Sequence, residues 1–487
     1  MTDKIEKVTY READNIGKNM AVKLYDHGLR NQPVAIYMKS GVNVPAAMLS
    51  VLYTDNFYVV LDYDSPKERI SKILDTLKPA GVICDQQYDW LMKRERKGQI
   101  TMVEFEKNTQ QLDEIDQNKL EEMSQNVTLD SPAYALFTSG STGNPKGVLV
   151  TQGNVISYIN WFTKCFSIDE KSQFGAQTPL YFSMSVSDFY GAIFNGGCYH
   201  MIPKEYFAFP AQLIEYMNER KINTIYWVPS AMGIIAKWNL FKYARLEFIE
   251  KVMFAGEAMP VKFLNYWRHH LPNVEYANLF GPTETTDICA YYKVNREFED
   301  CESLPIGVAC DNCQLMIIND DISGNNQAKT IGELYVKGPF VAKGYYRNLE
   351  KTREAFVQNP MHNDYPDSVY KTGDLVQMND RGELIYLGRK DFQIKHMGYR
   401  IEPGEIETVL DSLDDKIRTV CLYDDKNDQL VLVYEASKDI SHELDELAAV
   451  RLPVYMRPGK YEKLDCLPIN ANGKIDRKVL AKMFIEG

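Results

Sequence analysis

The chain has 487 residues, 45% hydrophobic and 25% charged, with 55 Lys and Arg against 67 Asp and Glu and a formal net charge of −12. This composition excludes a disordered chain, a collagen-like repeat and a small disulfide scaffold. The acidic balance argues against a general nucleic-acid binder, which needs clustered Lys and Arg against phosphate. No stretch reaches the roughly 18–20 apolar residues needed to span a bilayer, the longest lying around Val44–Tyr53, so no membrane partner is expected. Nine scattered cysteines and a polar Met1–Glu12 predict reduced thiols and a cytoplasmic setting. Cys310 and Cys313, the one close pair, have no second pair or His nearby and read as structural thiols.

In chain order, Pro33–Tyr37 reads as a buried strand, Val44–Leu52 as a helix, Phe57–Leu61 as a strand, Pro66–Leu77 as a helix and Gly81–Cys84 as a strand. This βαβα rhythm predicts an open, largely parallel sheet. Ala133–Phe137 reads as a further strand. The alternation resumes with a helix at Ala211–Arg220, a strand at Thr224–Val228, a helix running into a strand over Leu246–Phe254, and a strand at Val274–Leu279. From about Cys301 the chain turns strand-rich, at Gln314–Ile318, Gly332–Val336 and Glu383–Tyr386. A second unit begins near Gly388, with a helix opening at Glu402-Pro403, strands at Thr419–Tyr423 and Leu430–Tyr434, and helices at Ser441–Val450 and Asp476–Phe484. The expectation is an α/β chain in two parts: residues 1–388, with parallel-rich sheets flanked by helices plus a β-rich subdomain, and a small α+β domain over 389–487.

The segment Phe137-Thr-Ser-Gly-Ser-Thr-Gly-Asn-Pro-Lys-Gly147 carries the strongest chemical signal. Three Gly and four hydroxyl residues surround Lys146. Gly lets the backbone approach a polyanion and present successive N–H groups, hydroxyls add donors, and Lys adds a mobile positive charge. A Walker loop is excluded because Gly147 follows Lys146 where Ser or Thr is required. A plain surface turn would not need this composition, so a phosphate-holding loop is expected.

This loop resembles the signature of the adenylate-forming superfamily, which includes amino-acid adenylation domains, acyl- and aryl-CoA synthetases and D-alanine–carrier protein ligases. Four further segments match in order. Asn278-Leu-Phe-Gly-Pro-Thr-Glu284 resembles the segment that stacks on adenine and holds magnesium. Tyr370-Lys-Thr-Gly-Asp374-Leu resembles the ribose-binding segment. Gly388–Glu402 resembles the hinge and the start of a mobile small domain, and Asn472-Gly-Lys474-Ile-Asp-Arg477 resembles the loop bearing the catalytic Lys. The match is nearest to the amino-acid and D-alanyl-type enzymes.

The resemblance implies an ATP-dependent, AMP-forming ligase with Mg2+. It would adenylate a small carboxylic acid, by the nearest match an amino acid, and load it onto the phosphopantetheine thiol of a carrier protein. An aryl- or acyl-acid enzyme, using a carrier or coenzyme A, is the alternative, and a non-catalytic nucleotide-binding relative is a second. By the same resemblance Thr138, Ser139, Gly140, Ser141, Thr142, Gly143 and Lys146 would hold phosphates, and Glu284, with Thr138, would ligate magnesium. Phe280 would stack on adenine beside Asn278, Gly281 and Thr283, while Asp374 would face the ribose and Arg389 the ribose or the phosphates. Lys474 would bridge the substrate carboxylate and the α-phosphate. Asp391 would be the hinge, and Gly398, with Lys395 on the same segment, would line the thiol path.

The pocket departs from the family pattern. The usual Phe-Asp-x-Ser reads Phe182-Ser183-Met184-Ser185, so Ser183 replaces the carboxylate that pairs with an α-ammonium. A hydroxyl cannot supply that charge. Asp287, with Asp188 as a second candidate, would pair with an amine elsewhere on the substrate, such as a β- or ω-amine. Ser187, Trp227, Met253, Ala255, Leu279 and Ile288 fall at pocket positions, where the apolar ones could equally be core. The segment Val8–Glu12 resembles one lying a few dozen residues into relatives, so the family's first helix and strand are expected to be missing.

Overall fold

The computed structural model describes residues 1–140, 145–319, 330–414, 417–469 and 475–485. The chain forms two compact units. One comprises Met1–Tyr63, Leu77–Leu136 and Gly147–Lys390; the other comprises Asp64–Thr76, Phe137–Lys146 and Asp391–Gly487.

In the first unit, Pro33–Tyr37 is buried along its whole length, as a central strand covered on both faces must be. It pairs in parallel with Phe57–Val60 and Gly81–Cys84, within a sheet of seven strands that runs from Gly344–Tyr345 at one edge to Thr101–Glu104 at the other. A second seven-stranded sheet carries the parallel strands Cys198–Met201, Gln173–Ala176, Thr224–Trp227, Lys251–Phe254 and Glu275–Phe280. Its last two strands, Ala290–Lys293 and Val308–Ala309, run antiparallel. A third, antiparallel sheet joins Gln314–Ile318, Ile331–Lys337, Ser368–Met378, Phe356–Gln358 and Leu384–Arg389. One contiguous apolar core runs through this unit and includes Tyr58, Phe162, Phe174, Trp227, Trp267 and Leu334.

The sequence reading of the strands holds to within a few residues at their ends. Leu246–Phe254 is a correction: only Lys251–Phe254 is regular, as a strand, and the residues before it are irregular. Leu246 and Ile249 are both buried and mimic a helical spacing. Their backbone is held from elsewhere, however: Glu247 N–H donates to Asn218 Oδ1, and the Glu250 and Lys251 N–H groups donate to the Asn223 carbonyl. Helices absent from the sequence reading include Tyr10–Asp26, Gln152–Phe166 and Met184–Asn195. The first opens on a capping box in which Thr9 and Glu12 bond each other's backbone. The other two are too apolar to show a clear amphipathic period.

In the second unit, Arg418–Asp424 and Gln429–Glu435 pair antiparallel, and Lys460–Leu464 adds in parallel. Cys421, Leu432 and Tyr434 meet Ile406, Leu410, Leu444 and Ala448 on one face, from helices Pro403–Asp411 and Ser441–Arg451. Val420, Leu422 and Val433 meet Leu480 of helix Arg477–Phe484 on the other. The period-two alternation of the strands therefore feeds two cores. The Arg69 guanidinium pairs with buried Glu405, and Arg477 grips Glu407 through bonds of 2.6 and 2.7 Å.

Gly307 has φ +87°, and a Cβ there would stand 2.0 Å from the Tyr291 carbonyl oxygen. Gly307→Ala is expected to lower the thermal unfolding midpoint by roughly 2–6 °C through strain and displaced backbone, measurable by differential scanning calorimetry.

Candidate functional site

The parallel part of the second sheet ends in the strand Glu275–Phe280, after which the chain makes the 3₁₀ turn Thr283–Thr285 and returns along Ala290–Lys293. Gly281 permits the crossing, because a Cβ there would lie 2.2 Å from the Asp287 carbonyl oxygen. Thr286 has φ +67° and ψ −56°, and Asp287 N–H donates to the Thr285 carbonyl at 2.8 Å. This is a γ-turn of the strained hand, costly for a β-branched residue. The Thr286 hydroxyl anchors it by donating to Phe340 O at 2.7 Å. The turn places two buried carboxylates, Glu284 and Asp287, on one short segment. Tyr345, beyond the reach of sequence spacing, donates its hydroxyl to Glu284 Oε1 at 2.6 Å.

Around Asp287 the side chains are polar and dry. Ser187 Oγ and Tyr158 OH donate to its Oδ2 at 2.8 and 3.0 Å and lie 2.7 Å from each other. Burial raises the Asp287 pKa to about 6, held from going higher by the neighbouring hydroxyls of Ser187, Tyr158, Tyr226 and Ser183. Asp188, fully buried beside Ser187 on the helix Met184–Asn195, has no hydrogen-bond partner for either carboxylate oxygen among the described residues. Burial, and then the nearby Asp287, push its carboxyl well above the usual carboxylate range. Ser183 stands at the N-terminal end of the same helix without a side-chain capping bond, and its Oγ lies 3.5 Å from Thr283 Oγ1.

Tyr226, Met253 and Ala277 are lateral neighbours in parallel strands, so they share a face with Leu279. Trp227, Phe254 and Asn278 occupy the opposite face. Trp227 Nε1 donates to Gly175 O at 2.7 Å and its ring packs on Phe207. Of the neighbouring pair, Tyr226 is thus on the face of Met253 and Leu279, and Trp227 is not. Ala255 and Ile288 are buried in the same core. Asn278 donates to Pro305 O at 2.8 Å, and the Phe280 ring lies 5.7 Å from Tyr386, which the sequence reading missed.

In the third sheet the register shift opposite Glu333 and Tyr335 bulges Thr372–Asp374 out of the ladder. Gly373 takes φ +76°, where a Cβ would meet the Arg389 guanidinium at 2.7 Å. Asp374, buried, faces Arg389 across the strand pair with Oδ1 3.2 Å from Nη1. Nη1 also donates to Thr372 O at 2.9 Å. The structure therefore brings Asp374 and Arg389 together as an ion pair.

In the second unit, Ser139 Oγ donates to Arg400 O at 2.5 Å and accepts from Glu402 N–H at 3.2 Å. Gly140 is buried and Lys146 half-buried. The Thr138 hydroxyl is a buried polar atom with no partner among the described residues. Asp391 Oδ1 accepts from Gln393 N–H at 3.2 Å. Lys395 pairs in register with Arg400, in the hairpin whose turn is Met397 and Gly398, at φ +51° and +77°. Two successive positive φ values give a type I′ turn, which explains Gly398 on backbone grounds alone. Ser141, Thr142, Gly143 and Lys474 lie outside the described residues.

The family described as AMP-binding enzyme matches residues 1–346. The chain belongs to the AMP-binding enzyme family. This AMP-binding enzyme is 31% identical over 484 residues to bacitracin synthase 3 of Bacillus licheniformis, covering 98% of this chain and 7% of that protein. It spans less than half the length of the curated relatives it first matches. The structure of holo-PA1221, an NRPS protein containing adenylation and PCP domains, superposes with a TM-score of 0.82 at 20% identity, covering 99% of this chain and 81% of that one. The Vibrio cholerae adenylation domain AlmE, in complex with glycyl-adenosine-5'-phosphate, gives 0.82 at 22% identity, covering 99% and 93%. These likenesses establish the α/β fold of the adenylate-forming enzymes, with large mixed sheets and a small α+β part. No helix among the chain's described residues is long and apolar enough to cross a membrane.

A buried acid with a raised pKa stabilises the fold fully below its unfolded value, and that stability is lost as pH rises through the folded value. For Asp287, at about 6, the window is roughly pH 4 to 6 and the loss is about 3 kcal/mol. Asp287→Asn is expected to remove that step, leaving the variant more stable than the parent at pH 8 but not at pH 4, as urea melts at the two pH values would report.

Proposed function

We propose that this chain activates a small amino acid with ATP as its aminoacyl adenylate and passes the acyl group to the phosphopantetheine thiol of a carrier protein. The observation that carries the reading is the turn Thr283–Ile288, which holds Glu284 and Asp287 on one buried segment. A carboxyl group is to be activated at one end, and a cation recognised at the other. A relative named as a dimodular nonribosomal peptide synthase, and the NRPS protein with adenylation and PCP domains, support an amino-acid substrate and a carrier acceptor.

The substrate carboxylate and the α-phosphate are both anionic, so the site must neutralise charge and exclude water. Lys474 bridges the two anions as negative charge concentrates between them. Thr138, Ser139, Gly140, Ser141, Thr142, Gly143 and Lys146 bind the β- and γ-phosphates through backbone N–H, hydroxyl and ammonium donors. Asp374 accepts from the ribose hydroxyls, and Arg389, which touches it, orients it. Phe280, with Asn278, Gly281 and Thr283, forms the wall for the adenine. For Mg2+, Glu284 and Thr138 would each supply a hard oxygen donor: the Glu284 carboxylate is buried, and the Thr138 hydroxyl is a buried atom with no partner among the described residues. Bound there, the ion would screen phosphate charge.

In the second half-reaction the small domain, residues 389–487, turns about Asp391 against residues 1–388. Gly398 leaves room for the pantetheine arm, and Lys395 orients it. A hinge at an element boundary absorbs the backbone change. The setting is cytoplasmic. Coenzyme A is the rival acceptor.

Lys474→Ala is expected to lower acid-dependent ATP–pyrophosphate exchange about a hundredfold or more, the cost of one preorganised charge of roughly 3–4 kcal/mol. Parallel thioester assays with holo-carrier protein and with coenzyme A separate the acceptors; full exchange in the Lys474 variant would overturn the mechanism.

A further inference from the structure

We propose that Glu407 and Arg477 are positioning residues for Lys474, their ion pair fixing the stem of the arm that carries this lysine. The inference rests on the adenylation reading and adds to it the groups that aim its lysine.

Lys474 stands three residues before Arg477, which opens the helix Arg477–Phe484. Arg477 Nη2 reaches both carboxylate oxygens of Glu407, Oε1 at 2.7 Å and Oε2 at 2.6 Å. Its Nη1 donates to Cys421 O at 3.1 Å, and Cys421 N–H donates in turn to Glu407 Oε1 at 2.8 Å. The three residues therefore form a closed ring across the helix Pro403–Asp411, the strand Arg418–Asp424 and the last helix. The same guanidinium lies over the ring of Phe392, 5.1 Å from its centroid and one residue past Asp391. A planar guanidinium that divides its nitrogens between partners sets a direction as well as a distance. An ammonium on a flexible stem would not.

The arm is also closed at its base. Residues 470–474 lie between Ile469 and Ile475, which pair with each other antiparallel. Asp476 N–H donates to Pro468 O at 2.8 Å, and Leu467 N–H donates to Glu435 Oε2 at 2.9 Å. The incoming stem is thus tied to the strand Gln429–Glu435, and the outgoing stem is tied to Glu407 through Arg477. Packing alone would seat the last helix, since Leu480 and Ile475 already meet Val420, Leu422 and Val433. Apolar burial is non-directional, so what the charged ring adds is orientation. A cation that must meet two anions at once loses rate steeply when misplaced by about 1 Å.

The test is a double-mutant cycle in ATP–pyrophosphate exchange. It uses the best acid from a panel of the standard amino acids, 3-aminopropanoate and 4-aminobutanoate. Glu407→Gln is expected to cut kcat about tenfold or more, with KM for ATP held within about twofold. In the Lys474→Ala background the same change should cost less than about twofold, because a group that acts through Lys474 has nothing left to position. An equal loss in both backgrounds, a loss carried by KM alone, or no loss overturns the inference. Should Glu407→Gln fail to fold by circular dichroism, Arg477→Lys keeps the charge, loses the planar fork and enters the same cycle. Amide hydrogen exchange reads the stem without any substrate. Ile475 and Asp476 should exchange about tenfold faster in the variant, with Gln429–Glu435 unchanged. Unaltered exchange at the stem refutes the inference, whereas a parent chain that activates no acid counts against the adenylation reading alone.

Discussion

A carboxylate removed from water and given hydroxyls instead of a cation is the constraint on which this molecule turns. Asp287 is buried in the core of the large unit, and its three best-placed neighbours are a serine and two tyrosines. Neutral donors soften the desolvation cost but do not cancel it. Its neighbour Asp188 has even less help. A fold that retains such a pair gives up stability at neutral pH, the cost of keeping ionisable carboxyl groups out of water.

The scaffold explains how this arrangement is held. Parallel strands end at one edge of the second sheet, and the chain must reverse there to add the antiparallel strands Ala290–Lys293 and Val308–Ala309. The reversal is tight enough to need Gly281 against the Asp287 backbone and a strained Thr286, secured by Phe340. Strain confined to a few residues aims Glu284 toward Tyr345 and Asp287 toward Tyr158. In the third sheet a bulge performs the same service for Asp374, seating it against Arg389. Both sites use departures from regular structure to project polar groups from a rigid frame.

Much of this could be read from the letters. Pro33–Tyr37 and Gly81–Cys84 coincide with observed strands because a fully buried parallel strand is a short unbroken apolar run. The Thr9–Glu12 capping box was also legible, though the sequence reading passed over it. Leu246–Phe254 misled because two buried residues imitated a helical period while side-chain and backbone oxygens of Asn218 and Asn223 took the backbone donors. Local patterns report local geometry; they carry nothing about a distant acceptor that competes for the same N–H.

Sequence alone determined the alternation of elements, the family signatures and the loss of charge at Ser183, since each depends on residue type and short-range spacing. Only the tertiary structure decided which groups surround Asp287 and Glu284. Tyr158, Tyr226 and Tyr345 lie far away along the chain and resemble ordinary core aromatics until their hydroxyls are located. It likewise put Trp227 and Tyr226 on opposite faces, because pleating alternates neighbours while an apolar run does not declare which way it points. Burial is a property of the whole packed chain, so the raised pKa of Asp287 and the lack of a partner for Asp188 among the described residues exist only once every covering element is in place.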